Sequence, residues 1–373
     1  MTMDQAPDVV TFGGRFGWAL TRALAERRPD WGILFIMRDT DKVKEAAETG
    51  RVDLFFKFGT HGRIDLEKKI QMPRNVRFYS MADFNAGFRG SIKKLFIPAI
   101  PSNSIRRALE KTISSGVPKK AFADCEVLSV SKGMETASLH FPHEIIDDIL
   151  EHTSVVALGG NLAFEFAIGD PMLMELAGYK STTRRIASFF AGTNLMIYET
   201  FNRRKLSLAG PMKNIHSLAT GMTSEIFGSS SVSTVATMGL SEYERAAFIV
   251  QFREKLHPLA RALQKIPFHF RSVPIAGGAM SDYHLFRFTR NFSAGQAFVK
   301  ETRKGNSAAR AMAVISRETT IESFASAVPT RAFLRKLGCV SPVIDITADV
   351  LENRISPQNG IAKILRQENL VPT

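Results

Sequence analysis

In the first half of the chain, short apolar runs alternate with stretches of helical periodicity, and this alternation limits the possible folds more than any other feature. It is typical of a parallel sheet whose strands are joined by crossover helices. We therefore predict a doubly wound α/β domain with strands near Asp8 to Phe12, Gly32 to Met37, Val76 to Tyr79, Lys94 to Ile100, Glu126 to Ser131, Ser154 to Leu158, Met172 and Asn194.

The second half has a different pattern, because after about Leu208 the strand signals stop and stretches such as Glu242 to Gln264 and Ser307 to Leu337 have helical periodicity. We predict an all-α C-terminal domain, with domains at residues 1–205 and 206–373. The segment Gly228 to Thr234 is rich in serine and is predicted to be a loop or an insertion. Pro329 is predicted to kink or divide its helix.

Composition restricts the partners. The formal net charge is +13, but the basic residues are scattered rather than gathered in one block, so we expect no nucleic acid among the partners. No apolar run is long enough to span a membrane. The first ten residues do not resemble a secretory signal, and two distant cysteines, Cys125 and Cys339, offer no metal-ligand spacing. These features favour a cytoplasmic protein without a bound metal.

The segment VVTFGGRFGWALTRAL, from Val9 to Leu24, has a strand, a glycine turn and an amphipathic helix in the order of a dinucleotide site. Glycines let the backbone approach a pyrophosphate at a helix N-terminus, where the dipole favours negative charge. Compared with G-x-G-x-x-G, Gly14 and Gly17 fit, whereas Phe12 stands at the first position with Gly13 beside it. A glycine joint between strand and helix is also a common structural feature, so this segment alone leaves both interpretations open.

Arg38 and Asp39 follow the second predicted strand, about 20 residues beyond the last glycine, where a ribose-reading residue normally lies. An arginine there can pair with a 2′-phosphate or stack on adenine, and it favours NADP, although Asp39 could still reach a ribose hydroxyl. A solvated loop arginine is the alternative interpretation.

Several separated segments resemble, in order, the NAD(P)-dependent glycerol-3-phosphate dehydrogenase family. IPSNSIRRAL is similar to its V-P-S turn and helix, SKGME to its strand-end lysine motif, and LAGPMKN to its interdomain L-G-G-x-x-K-N. Asp282 and the later RNF resemble its G-D-L and R-N pair. IESFASAVPTRAFLRKLG and ISPQNGIAKIL resemble its C-terminal helices.

The resemblance implies a Rossmann-like N-terminal domain, a helical C-terminal domain, an active site in the cleft between them, and a homodimer. It also implies reversible hydride transfer between NADP or NAD and sn-glycerol 3-phosphate, a small phosphorylated substrate that links the enzyme to glycerophospholipid metabolism and lipid biosynthesis. By the resemblance, the catalytic residues are Lys213, Lys132 and Asp282, and the substrate-binding residues are Lys132, Asn214, Arg290 and Asn291. The cofactor-binding residues that it implies are Gly13, Gly14, Arg15, Phe16, Gly17, Arg38, Pro101, Lys132, Ala163, Arg290 and Glu322.

Residue chemistry supports a lysine as the proton-transferring group. Oxidising a secondary alcohol needs a base for the hydroxyl proton, and a lysine serves when its pKa falls from about 10.4 toward 7–8. Lys213 follows Gly210 and Pro211 at what we predict to be a helix start, where the dipole disfavours an ammonium. Lys132, predicted at the carboxyl end of a parallel strand, could supply a second cation.

Departures from the family pattern leave alternatives open. They are Phe12, Phe164, Ser281 and Phe286, and several lie near the expected pocket. One alternative keeps the fold and the hydride transfer with another phosphorylated or anionic substrate, and the other is a catalytically inactive nucleotide-binding homologue. His216 and His284 lie close in sequence to Lys213 and Asp282, but we interpret both as structural residues rather than bases.

Overall fold

The computed structural model describes residues 6–54, 68–159, 163–253, 289–317 and 321–366. By contacts within the chain, the protein groups into two compact units, Met1–Ser131 with Pro142–Phe201 and Lys132–Phe141 with Asn202–Thr373. The short segment Lys132–Phe141 therefore groups with the second unit. The domain boundary between residues 205 and 206 stays a prediction.

The first unit is built on an eight-stranded sheet with the strand order β10-β9-β8-β7-β6-β1-β2-β5. Its strands are β1 (Val9–Phe12), β2 (Ile33–Met37), β5 (Val76–Ser80), β6 (Leu95–Pro98), β7 (Glu126–Ser129), β8 (Val155–Gly159), β9 (Met172–Ala177) and β10 (Leu195–Thr200). Two more strands, β3 (Arg51–Leu54) and β4 (Lys68–Gln71), pair antiparallel in a separate sheet, within the segment that breaks the regular alternation.

Helices pack on both faces of the large sheet, which confirms the doubly wound architecture. They are α1 (Arg15–Arg27), α2 (Thr40–Thr49), α3 (Met81–Gly87), α4 (Ser102–Ser114), α5 (Pro142–Leu150), α6 (Ala163–Ala167) and α7 (Lys180–Phe189). One core cluster packs around α1, α6 and α7, and the other packs around α3, α4 and α5. A parallel strand buried on both faces is apolar along its length, as β1 and β2 are.

The sheet departs from the prediction at one point, since β9 pairs antiparallel with β8, and β10 continues parallel to β9. The helix α6 between β8 and β9 has five residues. At about 1.5 Å per residue it is too short to return the chain along the sheet, as a parallel crossover requires. The chain therefore enters β9 in the reverse direction.

The second unit is helical in every element that the structure describes, which confirms the predicted all-α half. Its helices are α8 (Arg203–Ile226), α9 (Ser229–Arg253), α10 (Arg290–Arg303), α11 (Ala308–Ile315), α12 (Glu322–Lys336), α13 (Pro342–Leu351) and α14 (Pro357–Arg366). The helix α8 is buried almost all round between Leu206 and Thr223, and α9, α10, α12 and α13 pack on it. A helix that is buried on all sides forms the core of its unit.

One expectation about this half is wrong, and another is wrong in part. The segment Gly228 to Thr234 is not a loop, because α9 begins at Ser229 and buries Val232 and Val235 one turn apart. The Thr234 hydroxyl donates to the carbonyl oxygen of Ser230, four residues earlier, so polar side chains are accommodated inside this helix. Pro329 does not divide its helix, since α12 runs continuously through it, and a kink at this proline stays a prediction.

No helix among the described residues is long and apolar enough to cross a membrane. Within the same residues, no cluster of three or more histidine, cysteine or acidic side chains forms a metal site. Cys125 and Cys339 are free thiols, and burial raises the pKa of Cys125 to about 12 and that of Cys339 to about 11.

Candidate active site

The glycine turn after β1 lies where the strand order of the sheet reverses. From β1 the chain proceeds to β2 on one side, and it later returns to β6 on the other. Gly14 has a φ of 93°, and a Cβ added there would overlap the carbonyl oxygen of Ala99, directly after β6. A Cβ on Gly17 would overlap the side chain of Ala99. Both positions therefore need glycine, because the segment at Ala99 comes too close for a side chain. This turn lies at the point where the strand order reverses, which is where open α/β sheets bind ligands.

Phe12, the departure from the glycine fingerprint, does not enter this turn. Its side chain is fully buried and makes edge-to-face contacts with Phe84 and Phe96, with ring centroids 5.4 and 4.9 Å apart. The ring belongs to the core on the α3 and α4 side of the sheet. The replacement therefore leaves the turn itself intact.

The N-terminus of α1 suits a pyrophosphate. Gly14 is the N-cap and makes no side-chain cap, and the first turn of the helix has no acidic residue. The first intrahelical bond runs from the Trp18 amide to the Gly14 carbonyl at 3.0 Å, so the amides of Arg15, Phe16 and Gly17 precede it. Amides at such a helix start bind phosphate oxygens together with the helix dipole. The residues present thus fit a dinucleotide.

Arg38 and Asp39 differ in their hydrogen bonding. Arg38 is exposed directly after β2, whereas Asp39 caps α2, accepting from the amides of Asp41 and Lys42 at 3.1 and 3.2 Å. The capping oxygen of Asp39 is thereby engaged in a local bond. Arg38 is the better candidate to contact the adenosine end of a cofactor.

Two other expected cofactor residues lie in the same unit. Pro101 is exposed at the start of α4, after β6, and the Ser131 hydroxyl donates to the carbonyl of Ile100 at 2.6 Å beside it. Ala163 is buried at the start of α6, after β8. The ends of β1, β6 and β8 are carboxyl ends at one edge of the sheet, because these strands run in the same direction.

In the second unit, Lys213 and Asn214 lie on α8, both with 4% of their surface exposed. The helix-start expectation for Lys213 is wrong, since α8 begins at Arg203, with the Asn202 side chain as its N-cap, and continues through Pro211. The helix dipole therefore does not act on this lysine, because its effect fades beyond the first turn.

The stem of Lys132 lies against α8, the helix that carries Lys213. A Cβ added at Gly210 would lie 3.1 Å from the Cβ of Lys132, so the stem of Lys132 packs against α8 one turn before Lys213. Lys132 is half-buried and follows β7 by three residues. The absence of a side chain at Gly210 is what permits this approach.

Glu322 forms a hydrogen bond with one of the expected site residues of the second unit. The Asn214 amide donates to the Glu322 carboxylate at 2.7 Å. Burial lowers the pKa of the Arg290 guanidinium from its ordinary value, and the nearby negative charge of Glu322 opposes that shift. Asn214, Arg290 and Glu322 therefore form one polar cluster at the N-termini of α10 and α12, beside the middle of α8.

Asn291 is fixed by a helix that lies far from it in sequence. Its side-chain oxygen accepts from the backbone amide of Ser323 at 3.2 Å, in the first turn of α12. The N-cap residue Ile321 supplies no such bond. Asn291 thus caps α12 from α10, and sequence gives no signal for this because the two residues are 32 positions apart.

His216 is a structural residue. Its Nε2 lies 3.2 Å from the Glu242 carboxylate of α9, and both side chains are buried. The second oxygen of Glu242 accepts from the amide of Val343, at the start of α13, at 2.6 Å. A Cβ added at Gly239 would overlap the imidazole, so α9 approaches the ring closely at this glycine. The sequence did not predict this link between α8, α9 and α13.

Several residues named from the sequence lie outside the described residues. They are Asp282, Ser281, His284 and Phe286. The Phe164 side chain is likewise not described. The glycine turn, Arg38, Pro101 and Ala163 fall in the first unit, whereas Lys132, Lys213, Asn214, Arg290, Asn291 and Glu322 fall in the second.

Family models match both halves of the chain. The N-terminal model of NAD-dependent glycerol-3-phosphate dehydrogenase matches residues 9–183, and the C-terminal model matches residues 204–362. The glycerol-3-phosphate dehydrogenase [NAD(P)+] of Anaplasma marginale is 25% identical over 301 residues, which are 79% of this chain and 82% of that protein. The enzyme of the same name from Azotobacter vinelandii is 26% identical over 245 residues, 65% of each protein.

Solved structures agree on the fold. A glycerol-3-phosphate dehydrogenase from Coxiella burnetii superposes with a TM-score of 0.70 at 20% identity, over 96% of this chain and 99% of that one. One from Plasmodium falciparum gives a TM-score of 0.74 at 14% identity, over 99% and 97%. Likeness at these identities concerns the fold, and function has to be argued from the site.

Proposed function

The chain belongs to the NAD-dependent glycerol-3-phosphate dehydrogenase family, and from that premise we propose that it interconverts sn-glycerol 3-phosphate and dihydroxyacetone phosphate by hydride transfer, with NADP or NAD as the cofactor. One observation carries the proposal: buried Lys213 and Asn214 are neighbours on α8, and Asn214 binds Glu322 of a cluster that contains Arg290. A proton-transferring amine and a phosphate-binding guanidinium are the two groups that this substrate needs.

The first unit binds the cofactor. The amides that follow Gly14 bind the pyrophosphate at the N-terminus of α1, and Arg38 binds the 2′-phosphate of NADP. These residues would hold the dinucleotide, whose nicotinamide would supply the hydride acceptor and donor for the reaction. The protein's own task at this end is to hold the cofactor in place.

Lys213 moves the proton. In the oxidation its neutral amine accepts the hydroxyl proton as the carbonyl forms, and in the reduction its ammonium returns that proton to the carbonyl oxygen. Lys213 is buried on α8. The stem of Lys132 packs against Gly210 of the same helix, and the resemblance implies that its ammonium acts beside Lys213. Asp282 orients the amine, as the resemblance implies.

Arg290 and Asn291 bind the phosphate end of the substrate, with Asn214 beside them. A guanidinium can donate to two phosphate oxygens at once, which fixes the orientation of the substrate as well as its charge. Glu322 keeps the Asn214 amide in place by a 2.7 Å hydrogen bond. A cytoplasmic location, a homodimer, a role in glycerophospholipid metabolism and the absence of a nucleic-acid partner stay predictions.

The test is to mix the purified protein with dihydroxyacetone phosphate and NADPH or NADH, and to follow the absorbance of the reduced nicotinamide. We expect rapid oxidation of the cofactor. Turnover with other carbonyl compounds alone would contradict the substrate, and cofactor binding without any turnover would identify an inactive homologue.

A further inference from the structure

Two asparagines of the second unit, Asn214 on α8 and Asn291 on α10, are held by consecutive residues of α12. The side-chain nitrogen of Asn214 donates to the Glu322 carboxylate at 2.7 Å, and the side-chain oxygen of Asn291 accepts from the Ser323 amide at 3.2 Å. Both asparagines are buried, with 4% and 8% of their surfaces exposed. The first turn of α12 therefore determines how each side-chain amide is turned.

The chemistry of the two partners permits one orientation of each amide. A backbone N–H can only donate, so its partner on Asn291 must be the oxygen. An ionised carboxylate can only accept, so its partner on Asn214 must be the nitrogen. Glu322 lies close enough to Arg290 for the two opposite charges to interact, which favours the ionised carboxylate. Turning either amide over would break its bond and leave two like groups facing each other in a buried place.

The two asparagines therefore present opposite groups. The nitrogen of Asn291 remains as a donor, whereas the oxygen of Asn214 remains as an acceptor. Neither of these two atoms has a hydrogen-bond partner within the part of the chain that the structure describes. One donor and one acceptor thus stand ready for a ligand in the same polar cluster.

Close packing of α8 and α10 keeps these groups in place. A Cβ added at Gly221 of α8 would overlap the carbonyl oxygen of Phe292, so the two helices touch through their backbones. The Ser217 hydroxyl of α8 lies 2.6 Å from the hydroxyl of Thr289, the N-cap of α10. Arg290 follows Thr289 directly. The arrangement is therefore rigid, as a selective site requires.

We propose that the side-chain oxygen of Asn214 accepts a hydrogen bond from the free primary hydroxyl of the substrate, and that Glu322 is the positioning residue that turns the amide for this contact. The inference rests on the proposed function. A phosphate dianion offers acceptor oxygens only, so the donor of Asn291 suits it and the oxygen of Asn214 does not.

The substrate has the matching groups. In sn-glycerol 3-phosphate and in dihydroxyacetone phosphate, the reacting carbon lies between a carbon that carries the phosphate and a carbon that carries a free hydroxyl. Asn214 follows Lys213 on α8, so the acceptor is next in sequence to the group that moves the proton. Arg290 and Asn291 are the groups for the phosphate end. A hydroxyl is the one remaining donor that the substrate offers.

This contact predicts selectivity for the hydroxyl. Acetol phosphate has the same carbonyl and phosphate as dihydroxyacetone phosphate, with a hydrogen in place of the free hydroxyl. A site that hydrogen-bonds a hydroxyl rejects an analogue that lacks it, because the polar group of the site then stays unpaired. We expect the unmodified protein to bind dihydroxyacetone phosphate about 10- to 100-fold more tightly than acetol phosphate.

Calorimetric titration with the two ketones tests the contact without turnover, since the oxidised cofactor is added to the protein and cannot reduce them. Asn214→Ala should lower the preference to less than about 3-fold and leave the affinity for inorganic phosphate within a few-fold. Asn291→Ala is the matched control. It should weaken both ketones and inorganic phosphate, and it should keep the preference.

An exchange of polarity tests the positioning role of Glu322. In Glu322→Gln the new side chain can donate or accept, so the Asn214 amide is no longer fixed and the preference should fall. Asn214→Asp alone sets two carboxylates against each other, and the preference should fall as well. When both changes are combined, the new glutamine can donate to one oxygen of the new aspartate while the other oxygen still accepts the hydroxyl. The preference should then return, which a merely structural role does not predict.

An Asn214→Ala variant that keeps the preference would overturn the proposal. Equal weakening of both ketones and inorganic phosphate by that change would do so too, because it would make Asn214 a phosphate ligand. If the alanine variant does not fold, the combined exchange decides, and a preference that stays lost there contradicts the proposal. An unmodified protein that binds neither ketone, or both equally, also contradicts it. Binding of dihydroxyacetone phosphate with the expected preference but without turnover on reduced cofactor would instead reject the proposed reaction alone.

Discussion

Replacing Lys213 by methionine removes one amine and keeps most of the volume of a buried side chain. We expect kcat to fall by about 10²–10⁴-fold, as for other general acid–base groups, while cofactor affinity changes by no more than a few-fold. The pH profile should lose an ionisation that the unmodified protein shows. Lys205→Met, a half-exposed lysine in the first turn of the same helix, is the control. Near-normal turnover of Lys213→Met would reject the mechanism, and Lys132 would be tested next.

Arg38 is exposed after β2 and is the expected contact of the 2′-phosphate. Loss of a charge-assisted hydrogen bond costs about 1.5–3 kcal/mol, which is about 10- to 100-fold in Kd. Arg38→Ala should therefore weaken NADPH by that factor and leave NADH nearly unchanged, as measured by fluorescence titration. Lys42→Ala, an exposed cation on α2, is the control. Equal losses for both cofactors would rule out a phosphate contact and favour stacking on adenine.

Site features formed by residues close in sequence were predictable, whereas contacts between residues far apart in sequence were not. The glycine turn is encoded within six residues, because its geometry depends on the glycines themselves. The bond between Asn214 and Glu322 joins residues 108 positions apart and follows from helix packing alone. Phe12 is a second residue whose surroundings were not predictable. Its position in the glycine fingerprint suggests that it lines the cofactor pocket, whereas the alternation of side chains along β1 places its ring in the core.

At the scale of elements, Glu242 links α8, α9 and α13 through His216 and the Val343 amide. Glu242→Ala leaves both groups buried without that partner, and each costs about 1–3 kcal/mol. We therefore expect the free energy of unfolding to fall by about 2–6 kcal/mol in chemical denaturation. Glu244→Ala, half-buried on the same helix, should cost less than about 1 kcal/mol. Equal effects of the two changes would mean that the link does not stabilise the unit.

The strands were easier to predict than the helix boundaries. Every strand predicted for the large sheet is present, because a strand buried on both faces is a short apolar run with clear ends. The start of α9 was missed because serine and threonine favour turns in isolation, whereas here Thr234 and Thr237 bond to carbonyls of their own helix. The start of α8 was misplaced because Pro211, typical of a first turn, lies inside a helix supported by its neighbours.

The whole molecule carries a formal net charge of +13, and both proposed ligands are anions. A basic protein attracts such ligands over distances set by the Debye length, which falls from about 10 Å at 0.1 M salt to about 3 Å at 1 M. We expect kcat/KM for dihydroxyacetone phosphate to decrease as potassium chloride is added, with little change in kcat at saturating substrate. A kcat/KM that does not depend on salt would show that the net charge plays no part in capture.

The reversal of direction between β8 and β9 has a consequence for how this protein can change over evolutionary time. The carboxyl ends of β1, β6 and β7 lie at the edge that carries the glycine turn, whereas those of β9 and β10 lie at the opposite edge. Substitutions in the last two strands therefore fall on a part of the sheet that does not shape the cofactor turn. Those two strands can therefore vary in sequence while selection continues to preserve the chemistry at the glycine turn.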